Sequence, residues 1–253
     1  MTLENKLKEV IAQFDPISLK QMDRVALMRR TDTKFVFNVS HLPELLSKAV
    51  DNYFMVEIKN EREQIYETTY FDTPEYSMYQ LHHNGKLNRF KIRVRKYIYT
   101  KQEFLEIKRK NNRGETIKNR MEHSDNNMIS NGDDSVKFIK RFTPYNSGLL
   151  IPTLDNRFIR LTLVNKNFKE RITLDYNLTF TDLKNNLETK PNGICIAEIK
   201  KERENRSSPF ISYLRDLRIL STGFSKYCMG IALLNPNVKN NLFKERIRSI
   251  TKI

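Results

Sequence analysis

Hydrophobic positions along the chain follow two periods, one near 3.6 residues and one of 2 residues. The first period, together with cap residues and prolines, predicts helices over residues 2–14, 41–50, 75–82, 133–141, 209–220 and 224–234. The period of 2 predicts strands over residues 30–39, 53–58, 65–72, 87–98, 102–110, 114–122, 155–164, 169–176 and 193–202. Many strands, with helices between them and at both ends, indicate an antiparallel α+β fold.

Strand after strand presents one apolar face and one charged face. Lys91, Arg93 and Arg95 alternate with Ile92 and Val94, so one face is basic and the other apolar. The same arrangement recurs at Arg30, Asp32 and Lys34; Glu106 and Lys108; Lys118 and Arg120; Arg171 and Asp175; and Glu198 and Lys200. In a single strand this pattern is typical of a sheet face in contact with water. In the whole set, like charges on one face favour an anion bound between them.

The amphipathic helices decide where these charged faces point. Such helices need an apolar surface, and the apolar faces of the strands supply one. If the helices cover those faces from outside, the charged faces point inward. We therefore predict a closed antiparallel β-barrel tunnel with a charged lumen, wrapped by helices.

The formal net charge of +15 indicates a polyanionic partner, which could be nucleic acid, an anionic membrane or a phosphate-rich small molecule. Acidic residues are interleaved with the basic ones, and no recognition-helix or zinc-ligand pattern is present, so nucleic acid is not the expected partner. The cysteines Cys195 and Cys228 lack metal-ligand spacing. No apolar stretch reaches the roughly 20 residues of a membrane span, and the N-terminus lacks a secretory signal, so we expect a cytoplasmic location.

Nine segments then occur in a familiar order: RTDTKFVF (30–37), TTYFDTPEY (68–76), KIRVRKY (91–97), FLEIKRK (104–110), TIKNR (116–120), DNRFIRLTL (155–163), ERITLDYNLTF (170–180), IAEIK (196–200) and GFSKYCMG (223–230). Together they resemble the VTC domain, the catalytic domain of vacuolar transporter chaperone polyphosphate polymerases. That family belongs to the triphosphate tunnel metalloenzymes, with CYTH phosphatases and fungal RNA triphosphatases. The resemblance implies a catalytic domain over residues 28–236, an N-terminal helical segment over 1–27 and a basic tail over 237–253.

The resemblance also implies roles for single residues. The phosphate-binding residues would be Lys34, Arg93, Arg95, Lys108, Lys118, Arg120, Arg157, Arg171, Lys200 and Lys226. Lys34, Arg93, Arg95, Lys108 and Glu198 would form the catalytic set. Glu198 resembles the family's metal-binding glutamate, for Mn²⁺ or Mg²⁺, with Glu106 or Asp175 as an alternative further ligand. Both of these acids could instead pair with basic neighbours.

The activity implied is transfer of the terminal phosphoryl group of ATP to a growing polyphosphate chain. An inorganic or RNA triphosphatase, or a nucleotide phosphatase, of the same tunnel fold is the first alternative, and a non-catalytic polyphosphate-binding module is the second. CYTH phosphatases begin with an ExExK pattern, whereas this chain has Arg30-x-Asp32-x-Lys34, which favours the VTC branch. A separate membrane protein would serve as export partner and hold the domain at the inner face of the membrane.

Two further expectations concern the surface. His82 and His83 precede the turn signal Asn84-Gly85, so they are expected on an exposed loop, with substrate contact as the alternative. The basic tail is expected to be a solvated helix. Its alternative role is to bind anionic lipid or emerging polyphosphate.

Overall fold

A computed structural model describes residues 1–23, 25, 30–124, 129, 133–191, 193–203 and 207–251. Its strands are β1 Pro16–Ile17, β2 Arg30–Asn38, β3 Tyr53–Val56, β4 Gln64–Asp72, β5 Arg89–Tyr97, β6 Gln102–Lys110, β7 Thr116–Glu122, β8 Ile151–Asn165, β9 Glu170–Asp182, β10 Leu187–Thr189 and β11 Ile194–Glu202. Its helices are α1 Leu3–Ala12, α2 Leu19–Met22, α3 Leu42–Ala49, α4 Ser77–His83, α5 Asp133–Phe142, α6 Pro209–Asp216, α7 Lys226–Leu234 and α8 Lys244–Thr251. The predicted α+β class is thus observed, and none of the described helices has the length and apolar character needed to cross a bilayer.

One curled sheet organises the molecule, with the strand order β2-β11-β9-β8-β4-β5-β6-β7. All pairs along this path are antiparallel. Within the described residues β2 and β7 end the path and do not pair with each other, so the sheet is a half-barrel. The prediction of a closed barrel is wrong in this respect, although a half-barrel is consistent with a tunnel fold.

The edge of β2 shows why the sheet stays open there. Phe35 forms an isolated bridge with Ser221, and the Thr222 amide donates to the carbonyl of Lys34 at 2.8 Å. The segment before α7 therefore takes up hydrogen-bonding groups on β2 that a closing strand would need.

Helices cover the convex face of the half-barrel. Buried residues of α1, α3 and α6 pack with the apolar residues of β2, β8, β9 and β11 in one core. Ile139 of α5 packs with the apolar residues of β5 and β6 in another. Because the helices cover the apolar strand faces from outside, the charged strand faces point inward, as the amphipathic helices predicted.

Helix α7 occupies part of the concave face. It packs against β8 and β9, and its buried residues share a core with Leu154 and Phe180. A Cβ at Gly230 would lie 2.5 Å from the Leu154 side chain, so only glycine allows this close approach. The buried Asp72 of β4 links α7 to α4, because its carboxylate accepts hydrogen bonds from the Tyr227 hydroxyl and from backbone amides of α4.

A bulge in β9 divides the concave face into an apolar part and a charged part. The register with β8 shifts between Arg157 and Ile159, and Asn177 on β9 adopts a φ of 53°. After this extra residue the alternation of β9 changes phase, so Phe180 faces inward like Asp175. The apolar part lies under α7, and the charged part remains open to ligands.

Candidate phosphate-binding site

Strand register sets the charged residues side by side across the concave face. On one wall Arg93 pairs with Glu106 and Glu106 with Arg120, and on the other wall Lys34 pairs with Glu198. Neighbouring positions that face the same way continue these rows. They are Lys91, Lys108 and Lys118 on the first wall and Asp32, Lys200 and Arg171 on the second.

Glu106 is the centre of a buried ion cluster. Its side chain is 1% exposed, accepts a hydrogen bond from Arg93 Nε at 2.7 Å, lies 2.6 Å from Arg93 Nη2, and pairs with Lys118. Burial raises the pKa of Glu106, but Arg93, Arg95 and Lys118 outweigh it, so the pKa lies well below its usual range. Glu106 therefore stays ionised and holds Arg93 in a fixed orientation.

Asp175 is the centre of a second cluster of the same kind. Arg160 donates to both of its oxygens, at 2.5 and 2.7 Å, and Lys226 at the start of α7 also pairs with it. Burial raises the pKa of Asp175, but Arg160 and Lys226 outweigh it and lower the pKa to about 2. We call these two groups, Glu106 with Arg93 and Lys118 and Asp175 with Arg160 and Lys226, the paired clusters.

Glu198 is less strongly held. Lys200 and Lys34 lie 3.2 and 3.5 Å from its two oxygens, and the side chain keeps 21% exposure. Burial raises its pKa, but these two lysines and Arg160 outweigh it, so the pKa of Glu198 lies well below its usual range. The carboxylate is thus ionised at the wall of an open cavity.

That cavity has a volume of about 660 Å³ and lies at one end of the groove. It is bounded by β2, β5, β6, β7, β11, the segment 221–225 and α8. Its charged lining consists of six basic residues, Lys34, Arg89, Lys91, Lys108, Lys110 and Arg246, and two acidic residues, Asp32 and Glu198. We call this space the lysine cavity.

Two lysines of the cavity, Lys91 and Lys108, have lowered pKa values, chiefly because they are buried and in addition because other cations lie near them. Burial lowers the pKa of Lys91 to about 8, and the nearby cations Lys34 and Arg89 add to the effect. Burial also lowers the pKa of Lys108 to about 8, with Lys34 and Lys91 contributing. Lys91 Nζ donates to the Ser225 hydroxyl at 2.8 Å, and no carboxylate of the described residues lies within 4.0 Å of it. A multiply charged anion would relieve this repulsion.

His82 forms part of the same wall. It belongs to α4, not to an exposed loop, and its Nδ1 lies 3.0 Å from Cys228 Sγ. Burial and the surrounding cations, led by Lys91, lower the pKa of His82 to about 2. The expectation for the histidines was wrong because the turn at Asn84 and Gly85 begins after the helix, and His83 is also buried, at 8% exposure.

Comparison with known proteins agrees with this architecture. The family model of the VTC domain matches residues 29–235, which is most of the chain. The chain belongs to the VTC domain family. No curated protein matches the sequence significantly.

Solved structures with a similar fold share little sequence identity with this VTC domain. It is similar to a candidate adenylate cyclase from Bacillus halodurans, with a TM-score of 0.53 and 12% identity over 79% of this chain and 96% of that one. A candidate adenylate cyclase from Vibrio parahaemolyticus gives a TM-score of 0.48 and 9% identity, over 81% and 98% of the two chains. A candidate adenylyl cyclase from Hippeastrum, described as having a dominant triphosphatase activity, gives 0.45 and 12%, over 81% and 97%.

Most of the sequence-predicted site residues of the VTC domain lie in the groove. Lys34, Lys108 and Glu198 line the lysine cavity, and Arg93, Lys118 and Lys226 belong to the paired clusters. Lys200 pairs with Glu198, and Arg171 is next to Lys200 in register. Arg95 is 7% exposed and donates to the Thr68 hydroxyl at 3.3 Å, and Arg120 lies 4.9 Å above the Phe104 ring.

Arg157 is the exception, because the structure places it on the opposite face. It pairs with Glu67 at 3.1 Å, and its side chain is 60% exposed. Arg160, three positions later in DNRFIR, occupies the groove instead. Two arginines at an odd separation on one strand cannot share a face, and the sequence contained no signal that distinguished between them.

The predicted set of site residues did not include Lys91, His82 or Arg246. Lys91 was placed on the basic face with Arg93 and Arg95 but was given no role, and His82 was named only as an alternative substrate contact. The positions of His82 and Arg246 in the cavity depend on how α4 and α8 pack against the rest of the protein, which local sequence patterns do not show.

A metal ion would find a sparse set of ligands. The described residues contain no group of three or more His, Cys, Asp or Glu side chains that could hold a metal ion. Glu106 and Asp175 are occupied by arginine and lysine, so their geometry fits ion-pair partners. Glu198 fits a metal ligand better, since it lines the cavity and faces Thr173, whose buried hydroxyl oxygen has no partner in the described part of the chain.

Proposed function

We propose that this VTC domain is a polyphosphate polymerase that transfers the terminal phosphoryl group of ATP to a growing polyphosphate chain. The observation that carries the proposal is the lysine cavity, in which six basic residues face only two acidic ones, Asp32 and Glu198. A nucleoside triphosphate and a phosphate chain are both polyanions, and joining them requires cations that are not already neutralised. Membership of the VTC family supports the same activity.

The proposed roles follow from position. Lys34, Lys91 and Lys108 would bind phosphate oxygens as point charges in the cavity. Arg93 and Arg95, further along β5, would bind the phosphates that extend towards the paired clusters. Phosphoryl transfer depends mainly on positioning and on neutralising charge, so a rigid basic groove suits it.

A divalent cation, Mn²⁺ or Mg²⁺, would be held by Glu198 together with substrate oxygens and water. Such ions commonly use one or two carboxylates and complete their coordination with phosphates, so the half-buried carboxylate of Glu198 fits. The ion would neutralise charge on the phosphoryl group in transfer. Lys34 and Lys200 keep Glu198 ionised and oriented for that purpose.

The cation surplus favours a phosphate acceptor over water. A terminal phosphate oxygen is already an anionic nucleophile and needs no general base at neutral pH. Water carries no charge, so a hydrolase needs fewer cations at the acceptor side than an enzyme whose acceptor is a phosphate chain. The experiment therefore has to distinguish the polymerase from two alternative functions, a triphosphatase and a non-catalytic binding module.

The test is incubation of the full chain with γ-labelled ATP and Mn²⁺, followed by separation of the products by size. We expect long, acid-insoluble phosphate chains, and we expect Glu198→Gln to abolish them. Glu44→Gln is the matched control, since Glu44 lies on α3 in a surface pair with Lys48. Orthophosphate as the sole product would replace the polymerase by a triphosphatase, and tight tripolyphosphate binding without turnover would indicate a binding module.

A cytoplasmic location and a separate membrane protein as export partner are proposed on the same basis. A polymer made from ATP has to leave the site, and a partner at the inner face of the membrane could receive it. Pull-down of a membrane protein from native membranes by the tagged full chain would test this association.

A further inference from the structure

Helix α8 lies beyond residues 29–235, which match the family model, yet it is built into the body of the protein. Phe243, directly before α8, and Ile250 within it are 1% and 5% exposed and share a core with α7. The Phe243 ring contacts the rings of Tyr79 and His83 on α4, at 6.0 and 5.6 Å between centroids. Residues 244–251 of the basic tail thus form a docked helix, which corrects the expectation of a solvated one.

Docking of α8 brings Arg246 to the lysine cavity. The half-buried Arg246 lines that cavity together with His82, Lys91 and Ser225. Its guanidinium packs over Gly223, where a Cβ would lie 3.2 Å from Nη2. Its charge contributes to the lowered pKa of His82, which places it close to that wall of the cavity.

No described carboxylate pairs with Arg246. Within the described residues no acidic group lies within 4.0 Å of the guanidinium, whereas Arg93 and Arg160 each have a buried acid. An arginine held in place beside other cations, without a counter-charge, is arranged to receive an anion. The planar guanidinium can donate two parallel hydrogen bonds to one phosphate.

We propose that Arg246 is a phosphate-binding residue and that α8 is a structural part of the substrate site. The ligand is a linear chain of phosphates, supplied either as the triphosphate of a nucleotide or as inorganic polyphosphate. This inference rests on the proposed polyanion-binding role of the lysine cavity. It adds a residue from the C-terminal segment to a site otherwise made by the family-matched region.

The experiment is calorimetric titration of the full-length protein with tripolyphosphate and, separately, with ATP. Arg246→Gln removes the charge but keeps most of the stem, and we expect tripolyphosphate affinity to fall about tenfold or more. Lys244→Ala is the matched control, because Lys244 is exposed on the same helix and does not line the cavity. Its replacement by alanine lowers the net charge by the same amount as Arg246→Gln. An equal loss of affinity with ATP assigns Arg246 to the nucleotide's phosphates as well, and a loss with tripolyphosphate alone assigns it to the inorganic chain.

Two further variants separate binding from folding. Arg246→Lys should recover part of the affinity, since it restores the charge without the planar fork. Gly223→Ala should weaken binding with Arg246 still present, because the added methyl group displaces the guanidinium. Wild-type affinity in Arg246→Gln, or the same loss in Lys244→Ala, would overturn the proposal.

The result is independent of the polymerase assay. If the protein makes polyphosphate but Arg246→Gln binds tripolyphosphate normally, only the inference about α8 fails. If no turnover occurs but the variant loses affinity, the polymerase proposal fails and the role of Arg246 stands.

Discussion

The paired clusters and the lysine cavity lie in one groove but treat charge in opposite ways. In the clusters each arginine meets a buried carboxylate, at 2.5–2.7 Å for Arg160 with Asp175 and at 2.6–2.7 Å for Arg93 with Glu106. In the cavity six basic residues meet only Asp32 and Glu198. The clusters complete their charge balance within the protein, whereas the cavity needs a ligand to complete it.

This difference indicates that the paired clusters hold the groove in shape and that the lysine cavity binds the anion. A carboxylate fixes the orientation of a guanidinium before any substrate arrives, so the paired clusters act as a rigid frame. Unpaired lysines repel one another and lower each other's pKa, which costs stability in the free protein. The stability lost in the cavity is recovered when an anion binds.

The largest expected effect comes from breaking a paired cluster. Glu106→Gln leaves Arg93 and Lys118 without their anion, and we expect the free energy of unfolding to fall by about 3–5 kcal/mol. Urea denaturation followed by circular dichroism measures it. Glu44→Gln breaks a surface pair and should change stability by less than about 1 kcal/mol. Equal stabilities of the two variants would show that the buried cluster does not organise the fold.

Removing a cation from the lysine cavity should weaken anion binding without lowering the stability of the free protein. Lys91→Met should weaken tripolyphosphate binding by about 10–100-fold, because a charged hydrogen bond is lost. It should leave the stability of the free protein unchanged or higher, since it removes a like charge. Lys96→Met, on the same strand but paired with Glu103 at 3.3 Å, is the control for binding. Lower stability with normal binding would contradict the division of roles.

The pH dependence of binding sharpens the same distinction. A bound polyanion raises the lysine pKa values above about 8, so binding takes up protons and affinity should fall as the pH rises above 8. The fall approaches about tenfold per pH unit for each lysine that must be protonated. Calorimetry at pH 7, 8 and 9, in buffers of different ionisation heat, counts the protons. Affinity that stays constant from pH 7 to 9 would argue against titrating lysines at the site.

The same shifts predict a gain in stability for the free protein at alkaline pH. The folded pKa of Lys91 is about 8 and the unfolded value is about 10.4, so the unfolded chain binds more protons between these values. Stability should therefore rise with pH across that window, and Lys91→Met should reduce the rise. Unfolding curves at pH 8 and 10 test this, with the unsubstituted protein as reference.

The smallest effect is expected outside the groove. Arg157→Ala removes an exposed residue paired with Glu67, so tripolyphosphate affinity should change by less than about twofold and stability by less than about 1 kcal/mol. Titration and urea unfolding under the same conditions measure both. A large loss of affinity would return Arg157 to the site that the resemblance implied and the structure does not support.

Many of the strands and helices were predictable because their sequence signals are local. The strand over residues 102–110 was predicted with its observed bounds, since strict alternation and flanking turns define it. The groove position of Arg93, Lys108 and Glu198 followed from alternation combined with the need to bury amphipathic helices. The second half of β9 was missed, because the bulge at Asn177 interrupts the period of 2.

Closure of the sheet and the choice between Arg157 and Arg160 were not predictable in this way. Whether β2 meets β7 depends on which segment reaches the β2 edge, and the residues near Ser221 reach it from 186 positions away in the chain. Alternation shows that Arg157 and Arg160 lie on opposite faces of β8. It does not show which of the two faces is turned towards the groove.

The sequence by itself determined the two faces of each strand, the apolar faces of the helices and the surplus of positive charge. These follow from the geometry of the backbone, in which side chains alternate or repeat over a few residues. The tertiary structure decided which charges neutralise one another and which remain for a ligand. That outcome depends on distances of a few ångströms between strands and helices remote in the chain, such as Asp175 with Lys226 and the lysine cavity with Arg246.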